Sequence, residues 1–153
     1  MPGTDDRSNA ATFREVAPGS PEYHGAVRLR EAILRLPLGL ILTAEELAME
    51  PECRHFIAVA GDEVIATLLL KPLDAQTVKM RQVAVEPSWQ GRGVGARLVS
   101  FAEDAARASG FRRMIAHARG TAVPFYLRLR YTVEGEPFLE QTIAHQLVTK
   151  VLA

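Results

Sequence analysis

Residues 83–96 constrain this chain most. Val83, Ala84 and Val85 make an apolar, β-like run, residues 86–90 make a short turn, and Gly91, Gly93 and Gly95 open an amphipathic helix. A helix start leaves backbone N–H groups without partners and has the positive end of the helix dipole behind them. Such a junction binds phosphate, and glycine lets the ligand come close without a Cβ in the way. A fold that mixes strands with helices and carries a phosphorylated ligand at this junction is expected.

Spacing separates the kinds of cradle that fit. A P-loop needs a Lys-Ser/Thr pair after its last glycine, and here Ala96, Arg97 and Leu98 follow. Gly91-x-Gly93-x-x-Ala96 matches a dinucleotide fingerprint in form, but that motif demands glycine directly after the strand and an acid about 20 residues on. Five residues intervene after the strand, and the next strand-like run ends on His117. An oxidoreductase built on a nucleotide is therefore the weaker alternative.

Gln90-x-x-Gly93-x-Gly95 resembles the Gln/Arg-x-x-Gly-x-Gly/Ala pyrophosphate loop of the GNAT (Gcn5-related N-acetyltransferase) superfamily. A second segment carries the resemblance independently. The family pattern Asn-x-x-Ala-x-x-x-Tyr-x-Lys-x-Gly-Phe/Tyr falls on Arg119, Ala122, Tyr126, Arg128, Arg130 and Tyr131, with Arg119 in place of Asn and Arg130 in place of Gly. The likeness spans residues 12–152, and residues 80–85 with 135–140 and His145 look like small bacterial members of the ElaA/YjcF-like type.

The resemblance implies an acyl-CoA-dependent N-acyltransferase that moves acetyl from acetyl-CoA to a primary amine by direct attack in a ternary complex. Coenzyme A would lie on Gln90, Gly91, Arg92, Gly93, Val94, Gly95 and Ala96. The strands at 80–85 and 112–117 would splay, freeing backbone groups of Val83, Ala84 and Val85 for the pantetheine arm and the thioester carbonyl. Tyr126, beside Phe125, would protonate the leaving thiolate, since an ordinary tyrosine pKa near ~10 keeps it a donor at neutral pH. The base stays open among His117, Glu140 and His145, the last two in or beyond a loop over the acceptor end, and a water chain. The acceptor is a small-molecule amine or a protein N-terminus or lysine, and a homodimer is admitted. The other alternative is a coenzyme A-binding sensor or scaffold without turnover.

Charge supports a polyanionic ligand. Net charge is zero, which argues against nucleic acid. Between residues 91 and 130, however, Arg92, Arg97, Arg107, Arg112, Arg113, Arg119, Arg128 and Arg130 face only Glu103 and Asp104. Arginine matches phosphate geometry bidentately, and Arg92 and Arg119 sit nearest the motifs. The lone Cys53 rules out an internal disulfide and a cysteine-rich zinc site, so no metal and a reducing, cytoplasmic setting are expected. No apolar run nears the ~20 residues that span a bilayer.

The rest of the sequence reads as one domain over residues 12–153 behind a flexible tail at 1–11. A strand at 12–17 precedes a helix capped by Ser20 with Pro21 at its first position, whose apolar positions are Val27, Ile33, Leu34 and Leu36. Residues 37–42 are an apolar connection, read as core or as a wall of the acceptor pocket. Thr43 and Glu46 form a capping box. Strands at 55–60 and 63–70 flank Gly61-Asp62 as a hairpin, extended by 77–85. Val94, Leu98, Phe101, Ala102, Ala105 and Ala106 mark the inner face of a helix ending at Gly110. A strand at 111–117, a short helix at 121–129 and strands at 131–134 and 145–152 complete the order β-α-α-β-β-β-α-β-α-β-β. This α/β (α+β) class implies a mixed, mostly antiparallel central sheet with helices on both faces.

Overall fold

The fold, taken from a computed structural model, is described for residues 11–152; residues 1–10 of the expected tail lie outside that range. Strand β1 (Thr12–Val16) leads to helix α1 (Pro21–Arg30), where the Ser20 hydroxyl accepts the Tyr23 N–H at 3.2 Å and Pro21 sits where no N–H is needed. A π turn (Glu31–Arg35) and a 3-10 turn (Leu36–Leu38) follow. Helix α2 (Ala44–Ala48) has the expected capping box: Glu46 N–H donates to Thr43 Oγ1 at 3.1 Å, and Thr43 N–H donates to Glu46 Oε1 at 3.0 Å. Strands β2 (Arg54–Ala60) and β3 (Glu63–Pro72) form the hairpin, closed at Ala60↔Glu63, and β4 (Thr77–Val85) follows. Helix α3 (Val94–Ala108), β5 (Arg113–Arg119), α4 (Val123–Arg128), β6 (Thr132–Glu140) and β7 (Ile143–Val151) complete the element order anticipated from sequence.

The seven strands lie in the order β1-β2-β3-β4-β5-β7-β6. Pairing is antiparallel at β1–β2, β2–β3, β5–β7 and β6–β7 and parallel at β4–β5, where the register runs from Thr77↔Arg113 to Met80↔Ala116. The described residues divide into two compact units. The first holds residues up to Leu70 and Gln82–Ala102, with Phe56, Ile57, Ile65, Leu68, Leu69 and Leu98 fully buried in its core. The second holds Lys71–Arg81 and residues from Glu103 on, with Met80, Met114, Val148 and Leu152 buried.

Several boundaries and faces differ from the sequence reading. In the first helix the buried side is carried by Tyr23, Ala26 and Arg30, while Leu36 is exposed; a buried ion pair, described below, takes the place of an apolar stripe. The connection at 37–42, read as core or as a wall of the acceptor pocket, is not core but largely in solvent: Ile41 is 61% exposed, and of residues 40–42 only Leu42 is buried. Phe101 is partly exposed because it covers Phe13 and Phe56 at the margin of the core, with ring centroids 6.3 and 6.1 Å away, and Val99 is buried instead. Strand β5 ends at Arg119 rather than at residue 117, since its ladder with β7 runs from Arg113↔Val151 to Arg119↔His145. Strand β6 extends to Glu140 rather than ending at residue 134, because Gly135 and Pro137 are absorbed in a register shift between Glu134 and Phe138. Glu140 therefore lies in a strand rather than in a loop, His145 lies in the expected last strand, and the two strands are joined by the two-residue turn Gln141-Thr142.

Candidate active site

The phosphate cradle is built in the first unit from the end of β4 onward. The Glu86 N–H donates to Ile65 C=O at 2.8 Å, which seats the strand end on β3, and residues Pro87–Trp89 form a 3-10 turn. Two bonds close this turn: Trp89 N–H to Glu86 C=O at 2.9 Å and Gln90 N–H to Pro87 C=O at 3.2 Å. The Gln90 side chain reaches back, its Nε2 donating to Val85 C=O at 2.9 Å. Gln90 thus staples the loop to its strand, and with its amide used inside the turn the amides left for a ligand begin at Gly91.

Gly91 and Gly93 have φ of 78° and 81°, conformations that side-chain-bearing residues adopt only with strain. A Cβ built on either would meet nothing within 4 Å, so the space before the loop is open. The α3 ladder begins with Arg97 N–H donating to Gly93 C=O at 3.0 Å, so the amides of Val94, Gly95 and Ala96 precede it. Left-handed residues followed by a helix start turn successive N–H groups toward one concavity, a geometry that suits a diphosphate. Beside it the Arg92 guanidinium stands over the buried Trp89 ring, 5.5 Å from its centroid. The residues present fit the pyrophosphate of a nucleotide cofactor.

The second unit gathers the three side chains that sequence left as alternatives. The His117 Nδ1 lies 2.8 Å from Glu140 Oε1, and His145 Nε2 lies 4.0 Å from Glu140 Oε2. They meet because β7 is flanked by β5 and β6, with Arg119↔His145 on one side and Phe138↔His145 on the other. Phe138 touches both imidazoles, edge-on to His117 at 5.0 Å and stacked on His145 at 6.0 Å. Burial alone would raise the Glu140 carboxyl, but its bond to His117 and the charges of His117, His145 and Lys79 outweigh that and hold it below the usual range. Glu140 is therefore an anion at neutral pH and accepts a hydrogen bond from the His117 Nδ1–H. Likewise His145 Nδ1 donates to Ile143 C=O at 2.8 Å. Lys79 is pushed down, by burial first and then by the neighbouring Arg81. No local signal in the sequence places Lys79 or Phe138 here, since their proximity depends on strand register.

Tyr126 is buried on α4 in the same unit, in edge-on contact with Phe125 at 5.1 Å and Tyr131 at 5.5 Å. Burial pushes its hydroxyl well above the ordinary tyrosine value, so it stays protonated at every physiological pH. Its helix ends in a full Schellman motif: Tyr131 N–H donates to Tyr126 C=O and Arg130 N–H to Leu127 C=O, both at 3.0 Å. Tyr131 in turn donates to the buried Glu103 at 2.8 Å, and Lys150 Nζ bridges Glu103 at 3.1 Å and Leu129 C=O at 2.9 Å. Arg119 ends β5, directly before the 3-10 turn Gly120–Ala122 that leads into α4.

Comparison with known proteins defines the class. The model of the acetyltransferase (GNAT) family matches residues 21–131, and the chain belongs to that family. Its fold is that of a provisionally assigned N-acetyltransferase from Lactobacillus plantarum, with a TM-score of 0.84, 24% identity and coverage of 95% of this chain and 100% of that one. It is also similar to a GNAT family acetyltransferase from Elizabethkingia anophelis with acetyl-CoA bound (TM-score 0.67, 18% identity, coverage 94% and 99%). A third similar structure is an aminoglycoside 6'-N-acetyltransferase complexed with coenzyme A (TM-score 0.76, 18% identity, coverage 93% and 97%). Among the described residues no helix is long and apolar enough to cross a membrane.

Proposed function

We propose that this protein transfers an acyl group, acetyl in the first instance, from acyl-coenzyme A to a primary amine by direct attack in a ternary complex. The observation that carries this reading is the loop of Gly91 and Gly93, left-handed and open in front, leading into the amides that start α3. Family membership supports it, as do the acetyl-CoA and coenzyme A bound in the two similar acetyltransferases. The cofactor supplies a thioester with an electrophilic carbonyl carbon and a thiolate leaving group.

This protein's residues divide the remaining work. The amides from Gly91 to Ala96 hold the pyrophosphate, with Arg92 and Arg119 adding positive charge. Backbone groups of Val83, Ala84 and Val85 bond the pantetheine arm and the acyl oxygen. His117, its tautomer fixed by Glu140 and with His145 behind it, accepts the proton that the amine loses. The Glu140 carboxylate on Nδ1 fixes the orientation of the ring. Tyr126 then gives a proton to the thiolate.

The test is release of free thiol from acetyl-CoA across a panel of amines, with coenzyme A affinity measured by calorimetry. Amine-dependent thiol release is the expected result, and binding without release would replace this reading with a sensor or scaffold. Tyr126→Phe keeps the ring beside Phe125 and removes only the hydroxyl. It should leave melting temperature and coenzyme A affinity in place and lower turnover by roughly 10²–10⁴-fold. Full activity in the Phe variant would reassign the proton donor.

A further inference from the structure

The strongest unexplained feature lies in the first unit. Arg30 is fully buried, yet it is not isolated: Nη1 donates to Glu50 Oε2 at 2.7 Å and Nη2 to Glu50 Oε1 at 2.8 Å. The Tyr23 hydroxyl donates to Glu50 Oε1 at 2.6 Å, and His55 Nε2 donates to the backbone carbonyl of Glu50 at 2.8 Å. Burial would raise the Glu50 carboxyl, but its bonds to Arg30 and Tyr23 keep it below the ordinary range, so the pair is ionised. A buried ion pair is a poor source of stability, because desolvation of both charges offsets their attraction. Its presence asks for another reason.

That reason is at the far end of the guanidinium. Arg30 Nη1 also donates to Gln82 Oε1 at 2.9 Å, and Gln82 has φ of 54° in the middle of β4. A left-handed glutamine inside a strand is strained and persists only where its surroundings over-determine it; such strain gathers at functional positions. It also interrupts the alternation of the pleat, so the amides that follow point where a regular strand would not send them. Those amides belong to Val83 and its neighbours, three residues before the turn that opens the phosphate cradle.

We infer that Arg30, Glu50 and Tyr23 form a positioning clamp that holds Gln82 left-handed and thereby aims the Val83 amide at the acyl oxygen. This rests on the acyl-transfer reading above. The three polar residues touch neither cofactor nor acceptor; they act through Gln82, and the bidentate Arg30–Glu50 pair supplies the rigidity that a single neutral hydrogen bond lacks. The ion pair thus serves geometry at the reacting bond.

Two variants at Gln82 test the clamp while keeping Arg30, Glu50 and Tyr23 themselves intact. Gln82→Gly accepts a φ of 54° without strain but has no side chain for Arg30 to grip, so the protein should fold while the direction of the next amide is no longer fixed. Coenzyme A affinity should stay within about twofold, and kcat for acyl transfer should fall by roughly tenfold or more. The Val83 amide should exchange its hydrogen faster, while the Glu86 amide, bonded to Ile65, keeps its protection. Gln82→Glu keeps an acceptor for Arg30 and should restore most of kcat. Turnover in Gln82→Gly equal to wild type, or an equal loss of kcat, coenzyme A affinity and melting temperature, would overturn the clamp. A wild-type protein that binds coenzyme A but transfers no acyl group to any amine would instead overturn the acyl-transfer reading beneath it.

Discussion

Arg130 shows how a single position can work against its own side chain. It occupies the C′ site of the Schellman motif that ends α4, with φ of 73°, where glycine is usual and where the family pattern has glycine. Gly110 fills the corresponding site of α3, with Gly110 N–H bonded to Arg107 C=O and Phe111 N–H to Ala106 C=O. The left-handed conformation costs a side-chain-bearing residue ~1–2 kcal/mol, of which glycine's greater freedom in the unfolded state returns part. Arg130→Gly should therefore stabilise the protein by about 0.5–1 kcal/mol, read as a rise of roughly 2–3 °C in Tm by circular dichroism. An unchanged or lower Tm would mean that the arginine head group compensates.

Glu140 makes a second prediction at this scale. If it holds His117 in place through the bond to Nδ1, Glu140→Gln should lower kcat by roughly tenfold while coenzyme A affinity and Tm stay unchanged. An unchanged kcat would take Glu140 out of the reaction. Caps at this scale were legible in the sequence, because Ser20, Thr43 and Glu46 act on backbone groups two or three residues away. The torsion angle of Gln82 was not, since nothing in its residue type announces it; Arg30 and Glu50, distant in sequence, help impose it.

At the scale of elements, the cradle's function depends on two properties of its glycines, conformation and absence of a side chain. Gly93→Ala tests both together and needs a control for strain. Gly61, in the β2–β3 turn, has φ of 60° and equally open surroundings, so Gly61→Ala carries similar strain far from the loop in sequence. Both variants should lose comparable stability, but only Gly93→Ala should weaken coenzyme A by more than about tenfold, or ~1.4 kcal/mol. Equal affinities in the two variants would remove the loop from the cofactor site. The order of elements was readable because each has a local signature of period, cap or turn. The ends of β6 were not, because Gly135 and Pro137 stop a strand by every local rule, yet the ladder with β7 resumes beyond them. For the same reason His117, Glu140 and His145 stood as rivals in the sequence and stand as one cluster in the fold: register is a long-range property.

Taken as a whole, the molecule should be sensitive to acid in two stages. His55 is held below its ordinary 6.5, chiefly by burial, so it is neutral when folded. Its contribution is complete above 6.5 and is lost as the pH falls through the lower folded value. Glu50, Glu46, Glu15 and Glu140 are likewise held below 4.5, so their contributions are complete above that value and disappear as the pH falls further. Tm should be highest above neutrality, decline from about pH 6.5, and fall again below about pH 4.5. His55→Gln, which keeps a donor for the Glu50 carbonyl, should abolish the first decline; a profile with the same upper step would show that another group titrates there. Charge counting anticipated the arginine-rich stretch, but the fold assigns several of its members locally: Arg107 bonds Asp104 and the Leu152 carbonyl, and Arg113 bonds Glu134. The excess available to a ligand is thus smaller than composition suggests.

Strand β6 ends the sheet, and its midpoint holds the register shift with Gly135, φ 76°, and Pro137. A free strand edge is a template on which another polypeptide lays its own backbone. Here the template is broken at its centre by a reversed residue and by one that has no hydrogen to donate, with Glu134, Glu136 and Glu140 spaced along it. An incoming strand could match only a few residues before losing step, and like charges on a second copy would repel it. The same irregularity that hid this hairpin from local rules guards the open edge against fibril-like stacking.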